Sequence, residues 1–275
     1  MRPSDIDFLS CPICALPLIG QESSLGRICF RCENGHAFDP AKEGYVHLLP
    51  SGKMHSLHPG DDKEMVRARR LFHSGDHYRA LKHALTDMVR GSSLLIDCGC
   101  GEGYYTSAFA DCCEKVLGLD LSKEAVRIAS KIDHKSLYIV AGSFHMPLPD
   151  GCADVVTNIF TPIAHEEIFR VLKDDGLMIS VIPGKKHLWQ MKEALYETPY
   201  PNSGEAKEYP AFRLVECREV HDVITVTDRE QIKGLYEMTP YSRKSSREAA
   251  DRIAAMTTLE TEIEFLICVY KKELP

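Results

Sequence analysis

One short stretch near the middle of the chain constrains the fold more than any other. Residues 94–103 read Leu-Leu-Ile-Asp-Cys-Gly-Cys-Gly-Glu-Gly, so an apolar run meets an acid and then three alternating glycines. Glycine permits positive φ and lets a ligand approach the main chain closely. The helix that follows would offer unpaired N–H groups at its positive end. The pattern predicts a buried strand, a tight ligand-binding turn and the start of a helix.

A second acid strengthens this interpretation. Residues 115–122 form a short apolar strand that ends in Asp120, which lies 23 residues after Asp97. An acid at the end of the second strand of a βαβ unit is placed to bind ribose hydroxyls. Ser122 then stands where a helix N-cap is needed. A structural turn and a capping acid are the plain alternatives, but both motifs at this spacing favour a nucleoside cofactor.

The first motif has the form Asp-x-Gly-x-Gly-x-Gly, which differs from the Gly-x-Gly-x-x-Gly of dinucleotide sites. It is similar to the first motif of class I S-adenosylmethionine-dependent methyltransferases. That resemblance implies that S-adenosylmethionine binds across the turn and the second acid. The implied cofactor residues are Asp97, Gly99, Gly101, Glu102, Gly103 and Asp120.

The pattern beyond this motif alternates between strands and helices. Strands are predicted at 94–98, 116–119, 137–141, 153–159, 177–182, 220–226 and 262–270. Helices are predicted at 63–72, 104–110, 123–131, 165–172, 187–194, 229–236 and 247–256. Repeated strand–helix pairs predict an α/β fold with a largely parallel, doubly wound, Rossmann-like sheet.

Composition limits the class of protein. The 275 residues suffice for one large domain and one small one. The first ten residues lack an apolar core and no run of about 18 apolar residues occurs, so we expect neither a signal peptide nor a membrane span. Eleven cysteines without a secretory signal favour a reducing, cytoplasmic location with some thiolates bound to metal. The net charge of −7 does not by itself indicate nucleic-acid binding.

The first fifty residues contain a zinc pattern. Cys11 and Cys14 form one close pair, and Cys32 and His36 form another eighteen residues further on. Two such pairs can surround one tetrahedral zinc. Cys29 is a fifth candidate, since Cys29-x2-Cys32 would give a four-cysteine site, and unliganded buried cysteines are the plain alternative. Because about fifty residues build little core, a fully protein-ligated zinc is expected to be structural.

The residues after the zinc pattern resemble one enzyme family. The run Cys-x2-Cys…Cys-x3-His-x-Phe-Asp-x-Ala-Lys-Glu-Gly-Tyr-Val-x-Leu-Leu-Pro spans residues 11–50. The variable position between Asp39 and Ala41 is occupied by Pro40. It resembles the 23S rRNA (guanine-N1)-methyltransferases, which join a zinc module to a class I methyltransferase domain. Further matching segments are 59–61 (Pro-Gly-Asp), 68–70 (Ala-Arg-Arg), 75–78 (Gly-x-His-Tyr), 183–188 (Pro-Gly-x-x-His-Leu) and 238–240 (Met-Thr-Pro). Residues 198–212 match nothing recognisable.

The resemblance carries several expectations. It implies a zinc-binding domain at 1–50, a linker and basic helical segment at 51–90, and a methyltransferase domain at 91–275 whose last strand is antiparallel. Tyr78 and His187 are expected to close the cofactor site. The implied partners are a hairpin of large-subunit rRNA and a second copy of the chain, as a homodimer.

Local charge offers a surface for RNA. Residues 63–90 hold seven Lys or Arg and three acids, a local excess of four positive charges. On the helix predicted there, Lys63, Arg67 and Arg70 share one face at spacings of four and three. We expect this face to contact phosphates, and a solvated helix face is the plain alternative.

The methyl acceptor is expected beside the fourth predicted strand, because ligands of open α/β sheets lie at the carboxyl ends of strands. Phe160 could stack on a guanine there and Asn158 could bond its edge, although a buried aromatic beside a turn explains Phe160 equally well. Guanine N1 carries a proton at neutral pH, which a base or a hydrogen-bond network must accept. Asp154, His165 and Glu102 are possible bases, and none is assigned.

The sequence thus predicts an S-adenosylmethionine-dependent methyltransferase that modifies N1 of one guanine in a 23S rRNA hairpin. A small-molecule methyltransferase is one alternative, favoured by the net charge and disfavoured by the zinc module. A non-catalytic RNA- or protein-binding module is another, disfavoured by the intact glycines and acids.

Overall fold

The computed structural model describes residues 8–22, 28–50 and 60–274, and one large sheet forms its centre. The strands are β1 (Ile19–Glu22), β2 (Ile28–Arg31), β3 (Ala37–Phe38), β4 (Val46–His47), β5 (Leu94–Cys98), β6 (Lys115–Asp120), β7 (Leu137–Val140), β8 (Ala153–Ile159), β9 (Leu172–Pro183), β10 (Phe212–Val226) and β11 (Leu259–Lys272). The helices are α1 (Lys63–His73), α2 (Arg79–Val89), α3 (Thr106–Phe109), α4 (Lys123–Ile132), α5 (His165–Val171), α6 (Trp189–Leu195), α7 (Arg229–Glu237) and α8 (Arg247–Ala255). Residues 51–59, the first part of the predicted linker and basic helical segment at 51–90, lie outside the described residues.

The large sheet has eight strands in the order β10-β11-β9-β8-β5-β6-β7-β4. Neighbours from β9 to β4 run parallel, whereas β11 is antiparallel to both β9 and β10. The chain adds β6 and β7 on one side of β5 and then β8 and β9 on the other side. The carboxyl ends of β5 and β8 therefore lie at a topological switch point, where open α/β sheets bind ligands. The prediction of a doubly wound class I sheet with an antiparallel last strand is confirmed.

Alternating residues of the central strands enter two different cores. Leu95 and Val155 pack with α2, α6, α7 and α8 on one face. Ile96 and Val156 pack on the other face with α5 and with residues of the N-terminal module. This alternation follows from the two-residue period of a strand. Since both faces are covered, β5 is buried throughout.

The N-terminal module is a three-stranded antiparallel sheet, β1-β2-β3, joined to the large sheet. Its Leu9, Leu18 and Phe30 lie in the core beneath β5–β7. Downstream, β4 pairs in parallel with β7 and extends the large sheet by one strand. The module is therefore packed on the sheet over a continuous apolar contact.

Several helix starts agree with their predicted caps. The Asp62 carboxylate accepts a hydrogen bond from Met65 N at 2.8 Å and begins α1, and Ser122 Oγ accepts one from Ala125 N at 3.4 Å and begins α4. Within the part of the chain that the structure describes, no helix has both the length and the apolar character that crossing a bilayer requires.

Candidate functional site

A cavity of about 660 Å³ opens at the carboxyl ends of the central parallel strands. The turns after β5, β6, β8 and β9 form its floor, and α1 and residues 238–243 form walls. Seven of the eight cofactor residues expected from sequence line it, namely Tyr78, Asp97, Gly99, Gly101, Glu102, Asp120 and His187. The eighth, Gly103, lies behind the turn.

The glycine turn after β5 is shaped by close packing. Gly99 has φ +77°, and a Cβ there would lie 2.4 Å from Thr161 Cγ2. Gly103 has φ +85°, and its Cβ would lie 2.8 Å from Tyr138 Oη. Any side chain at these positions would meet both a strained backbone and a clash. The two outer glycines therefore let the turn lie flat against the loop after β8 and against β7.

Asp97 holds this turn from below. Its carboxylate accepts hydrogen bonds from Thr106 Oγ1 at 2.6 Å and from Thr157 Oγ1 at 2.8 Å. Burial raises the pKa of Asp97 to about 6, against the opposing effect of the two hydroxyls. Because Asp97 is 2% exposed and accepts hydrogen bonds from two threonine hydroxyls, it supports the shape of this turn and contributes negative potential to the cavity.

Asp120 connects the first and second motifs. Its Oδ2 accepts the Gly101 N–H at 3.0 Å, and its Oδ1 accepts the Ser122 N–H at 2.7 Å. Each oxygen keeps a second acceptor lone pair. Burial raises the pKa of this carboxyl, while the two amide donors favour its ionised form. A partly exposed carboxyl group with free acceptor capacity in the cavity lining suits the ribose-binding role expected from sequence.

Glu102 and α1 form an ion-paired wall that the sequence did not predict. His73 Nδ1 donates to Glu102 Oε1 at 2.5 Å, and Arg69 pairs with Asp61 at 2.5 Å beside it. The other oxygen, Glu102 Oε2, is buried without a hydrogen-bond partner among the described residues. A buried acceptor without a donor is costly. This oxygen therefore marks a place where a ligand N–H or O–H group fits.

Tyr78 and His187 lie together in the lining of the cavity. Glu264 N donates to His187 Nδ1 at 3.3 Å, so Nε2 carries the proton and donates to Tyr78 Oη at 3.4 Å. Burial, followed by the nearby charge of Lys192, lowers the pKa of His187 to about 3. The imidazole is therefore neutral, and the Tyr78 hydroxyl is free to donate into the cavity.

The three possible bases lie in different places. Asp154 accepts Leu94 N at 2.7 Å and pairs with Lys173 at the far end of β8. His165 begins α5 and does not line the cavity. Glu102 alone of the three does so.

Other cavity residues were not singled out from sequence. They include Met65, Arg69, His73, Lys207, Tyr209, Tyr241 and Arg243. Two of them, Lys207 and Tyr209, come from the stretch 198–212, which carries no periodic or motif signal. Two segments that resemble the family could have indicated further cavity residues. The triplet 68–70 contains Arg69, and Tyr241 directly follows the segment 238–240.

The metal-ligand cluster lies in the N-terminal module. Cys11, Cys14, Cys32 and His36 place one ligand atom each within 4.8 Å of all the others. The Sγ–Nδ1 distances are 3.5 Å from Cys11 and 3.4 Å from Cys32, and Cys14 Sγ lies 3.6 Å from Cys32 Sγ. Bond lengths of about 2.3 Å to sulfur and 2.0–2.1 Å to nitrogen give similar edges for a zinc tetrahedron.

Two details support this ligand set. Cys29, the alternative third ligand, is outside the cluster, and its Sγ lies near Phe30 O at 3.9 Å. The Leu16 backbone N–H lowers the pKa of the Cys14 thiol to about 6 and so favours the thiolate that zinc binds. The residues present therefore fit a zinc ion.

Known families match both parts of the chain. A zinc-ribbon family described as "RlmA, N-terminal" matches residues 9–57, and the family "Methyltransferase domain" matches residues 96–180. The chain is similar to the 23S rRNA (guanine(748)-N(1))-methyltransferase of Streptomyces fradiae, with 34% identity over 204 residues, 71% of this chain and 70% of the relative.

Two further relatives are provisionally named 23S rRNA (guanine-N(1)-)-methyltransferases. The protein of Micromonospora griseorubida is 32% identical over 71% of this chain and 72% of its own length. The protein of Bacillus subtilis is 27% identical over 98% of this chain and 99% of its own length. With the zinc cluster, the class I sheet and the cofactor cradle in place, the chain belongs to the family of 23S rRNA (guanine-N1)-methyltransferases.

Proposed function

We propose that this enzyme transfers the methyl group of S-adenosylmethionine to N1 of a guanine in a hairpin loop of large-subunit rRNA. The proposal rests on the contact between two loops, the one after β5 and the one after β8. The cofactor turn at Gly99 packs directly against Thr161 in the loop after β8, and both loops line one cavity. A methyl donor on one loop and an acceptor on the other would therefore meet in the same enclosed space.

We propose specific roles for the residues around the cofactor. Asp120 would bind the ribose hydroxyls, and the turn at Gly99 and Gly101 would let the cofactor lie against the main chain. Gly103 would act indirectly, because it lets the turn pack against Tyr138. Glu102 Oε2, which has no partner, would accept a hydrogen bond from the ligand. Tyr78, positioned by neutral His187, would donate one.

Catalysis by these residues would consist mainly of positioning. S-adenosylmethionine supplies an electrophilic methyl group when it is bound. The chain must hold the acceptor nitrogen in line with that group and keep water out, which can supply several kcal/mol of the rate enhancement. Four acids (Asp61, Asp97, Glu102, Asp120) and three cations (Arg69, Lys207, Arg243) line the cavity, so the lining would suit a ligand that carries groups of both charges.

The proton on guanine N1 needs an acceptor during the reaction. Among the three candidate bases, position favours Glu102, because Asp154 and His165 lie outside the cavity. Its ion pair with His73 lowers the pKa of Glu102 although burial acts to raise it. The carboxylate would thus be ionised at neutral pH. It would accept the proton directly or through water.

A labelled-methyl assay tests the function directly. Purified enzyme, tritiated S-adenosylmethionine and total rRNA from cells that lack the enzyme should yield label in 23S rRNA only. Label in a small molecule extracted from the same cells, with none in rRNA, would instead support a small-molecule methyltransferase. No transfer to either, with intact cofactor binding, would support a non-catalytic module.

We also propose that Cys11, Cys14, Cys32 and His36 hold one structural zinc, that the enzyme works as a homodimer, and that it acts in the cytoplasm. The zinc proposal rests on the ligand geometry. The dimer and the location rest on the family resemblance and the rRNA substrate. A monomeric mass in light scattering, unchanged when RNA is added, would contradict the dimer.

A further inference from the structure

Phe160 has a backbone conformation that aromatic residues rarely adopt. Its φ is +59°, in the left-handed region that favours glycine. Such a conformation persists when surrounding contacts fix it, and it is common at functional sites. Here Phe160 N donates to Val181 O at 3.3 Å, and Asn158 Nδ2 donates to Pro162 O at 3.1 Å. A glycine would meet the same backbone demand more easily, so the turn does not explain why a ring stands here.

The ring of Phe160 is only partly covered. It is 45% exposed although it lines the cavity. One contact is with Phe265, at a centroid distance of 5.5 Å. Phe265 is fully buried and also contacts Tyr78 and His187, at 4.9 and 4.6 Å. A series of aromatic contacts therefore runs from Tyr78 and His187 through Phe265 to Phe160, and the ring of Phe160 is its exposed end. A core phenylalanine would be covered on all sides.

The position of this ring relative to the cofactor turn is fixed. The next residue, Thr161, donates through Oγ1 to Cys98 O at 3.2 Å, at the end of β5. Its methyl group also occupies the space that a side chain at Gly99 would need. The loop that presents Phe160 is thus attached to the loop expected to hold the methyl donor.

We propose that Phe160 is the platform on which the methyl-accepting guanine stacks; this rests on the proposed function. Guanine N1 is hidden in a Watson–Crick pair, so the base must be unpaired or turned out of its helix before it can react. Proteins hold such bases on aromatic rings. The Asn158 side chain could bond the guanine edge, but its amide nitrogen already donates to Pro162 O. The ring of Phe160 is therefore the clearest contact for the methyl-accepting base.

Three variants at this one position separate stacking from structure. Phe160→Tyr keeps an aromatic face, Phe160→Leu keeps apolar bulk without a face, and Phe160→Asn removes the ring but suits the left-handed backbone. The substrate is 23S rRNA from cells that lack the enzyme. We expect kcat/KM for methyl transfer to fall roughly 10- to 100-fold for the leucine and asparagine variants and to stay within about threefold for tyrosine.

Cofactor affinity by calorimetry and the thermal midpoint serve as controls, and both should stay near wild type in the asparagine variant, where the backbone is least strained. The proposal is overturned if leucine or asparagine retains wild-type kcat/KM, or if tyrosine falls as far as leucine. If wild-type enzyme transfers no methyl to this RNA, the proposed function fails first and takes this inference with it.

Discussion

Asp97 and Asp120 come from the same sequence pattern yet occupy different environments. Asp97 is 2% exposed, and both of its oxygens accept threonine hydroxyls. Asp120 stands at the cavity edge, where each oxygen accepts one backbone N–H and retains capacity for a ligand. Asp97 is thus suited to shaping the cradle, and Asp120 to direct contact with a ribose.

Substitution of Asp120 tests that distinction. Asp120→Ala removes charged acceptors from the ribose position and should weaken S-adenosylmethionine binding by roughly 1.5–3 kcal/mol, measured by calorimetry. Asp111→Ala is a matched control, because that exposed acid pairs with Lys135 away from the cavity. Equal affinity for wild type and Asp120→Ala would remove Asp120 from the ribose role.

The buried imidazole of His187 predicts a pH effect on stability. Its pKa is lowered to about 3, chiefly by burial, whereas in an unfolded chain it is about 6.5. Between these values only the unfolded state binds this proton, so acid destabilises the fold, by about 4–5 kcal/mol at most over the full window. The raised pKa of Asp97 has the opposite effect, because the folded state binds that proton more tightly and acid therefore favours folding. This contribution is the same in wild type and in a His187 variant.

The difference between wild type and His187→Gln therefore isolates His187. Urea unfolding at pH 7.5, 6 and 5 should show wild type losing stability relative to the variant as the pH falls. A constant difference across these pH values would mean that His187 is not buried in its neutral form.

At the scale of elements, α1 has one face toward the cavity and one toward solvent. Lys63, Arg67 and Arg70 are exposed, as the sequence predicted. Arg69, one position away, turns inward to pair with Asp61 beside the cavity. The same helix could therefore bind phosphates outside and support the cofactor site inside.

The outer face predicts a salt-dependent effect. Phosphate contacts position RNA without reading its sequence. Arg67→Ala with Arg70→Ala should weaken rRNA binding and reduce the log–log salt slope by about 0.7–0.9 for each lost contact. Cofactor affinity and the methylated position should not change. Wild-type affinity and salt slope in the double variant would show that this face is merely solvated.

The sequence predicted elements well where burial imposes a period. Strands β5 and β8 match their predicted bounds, since most of their residues are buried and apolar. Strand β10 was predicted from residue 220 but begins at Phe212, because pairing with β11 extends through residues that are mostly exposed and carry no alternation. Likewise, the helix predicted from 187 begins only at Trp189, after the left-handed Leu188.

The site was predictable to a similar extent. Glycines and acids of the turns carry local signals, and seven of the eight residues expected to bind the cofactor line the cavity. The His73–Glu102 pair, 29 positions apart in sequence, depends on how α1 packs against the sheet. Lys207 and Tyr209 reach the cavity from an irregular segment. Tertiary packing brings His73, Lys207 and Tyr209 to the cavity, and no short-range sequence pattern predicts that packing.

At the scale of the whole molecule, the N-terminal module serves as part of the methyltransferase fold. The connection from β7 to β8, residues 141–152, contains only turns and bends where a doubly wound fold commonly has a crossover helix. Leu9, Leu18 and Phe30 cover that face of the sheet instead. Ser10 N also donates to Pro147 O at 2.8 Å, in this connection.

Loss of zinc should therefore destabilise the whole enzyme. Cys32→Ser should lose the metal in a metal assay and lower the thermal midpoint by more than about 5 °C, since structural zinc can contribute on the order of 10–16 kcal/mol. Cys29→Ser should keep the metal and nearly the wild-type midpoint. A zinc-free Cys32→Ser protein with an unchanged main transition would mean that the module folds independently of the sheet.

The chemical identity of the product tests the central claim most directly. 23S rRNA from cells that lack the enzyme is incubated with purified enzyme and S-adenosylmethionine, digested to nucleosides and analysed by mass spectrometry against methylguanosine standards. We predict 1-methylguanosine at close to one per 23S rRNA, with a matching reverse-transcription stop at a hairpin loop. Methylation at another atom or base, or of no RNA nucleoside at all, would contradict the account.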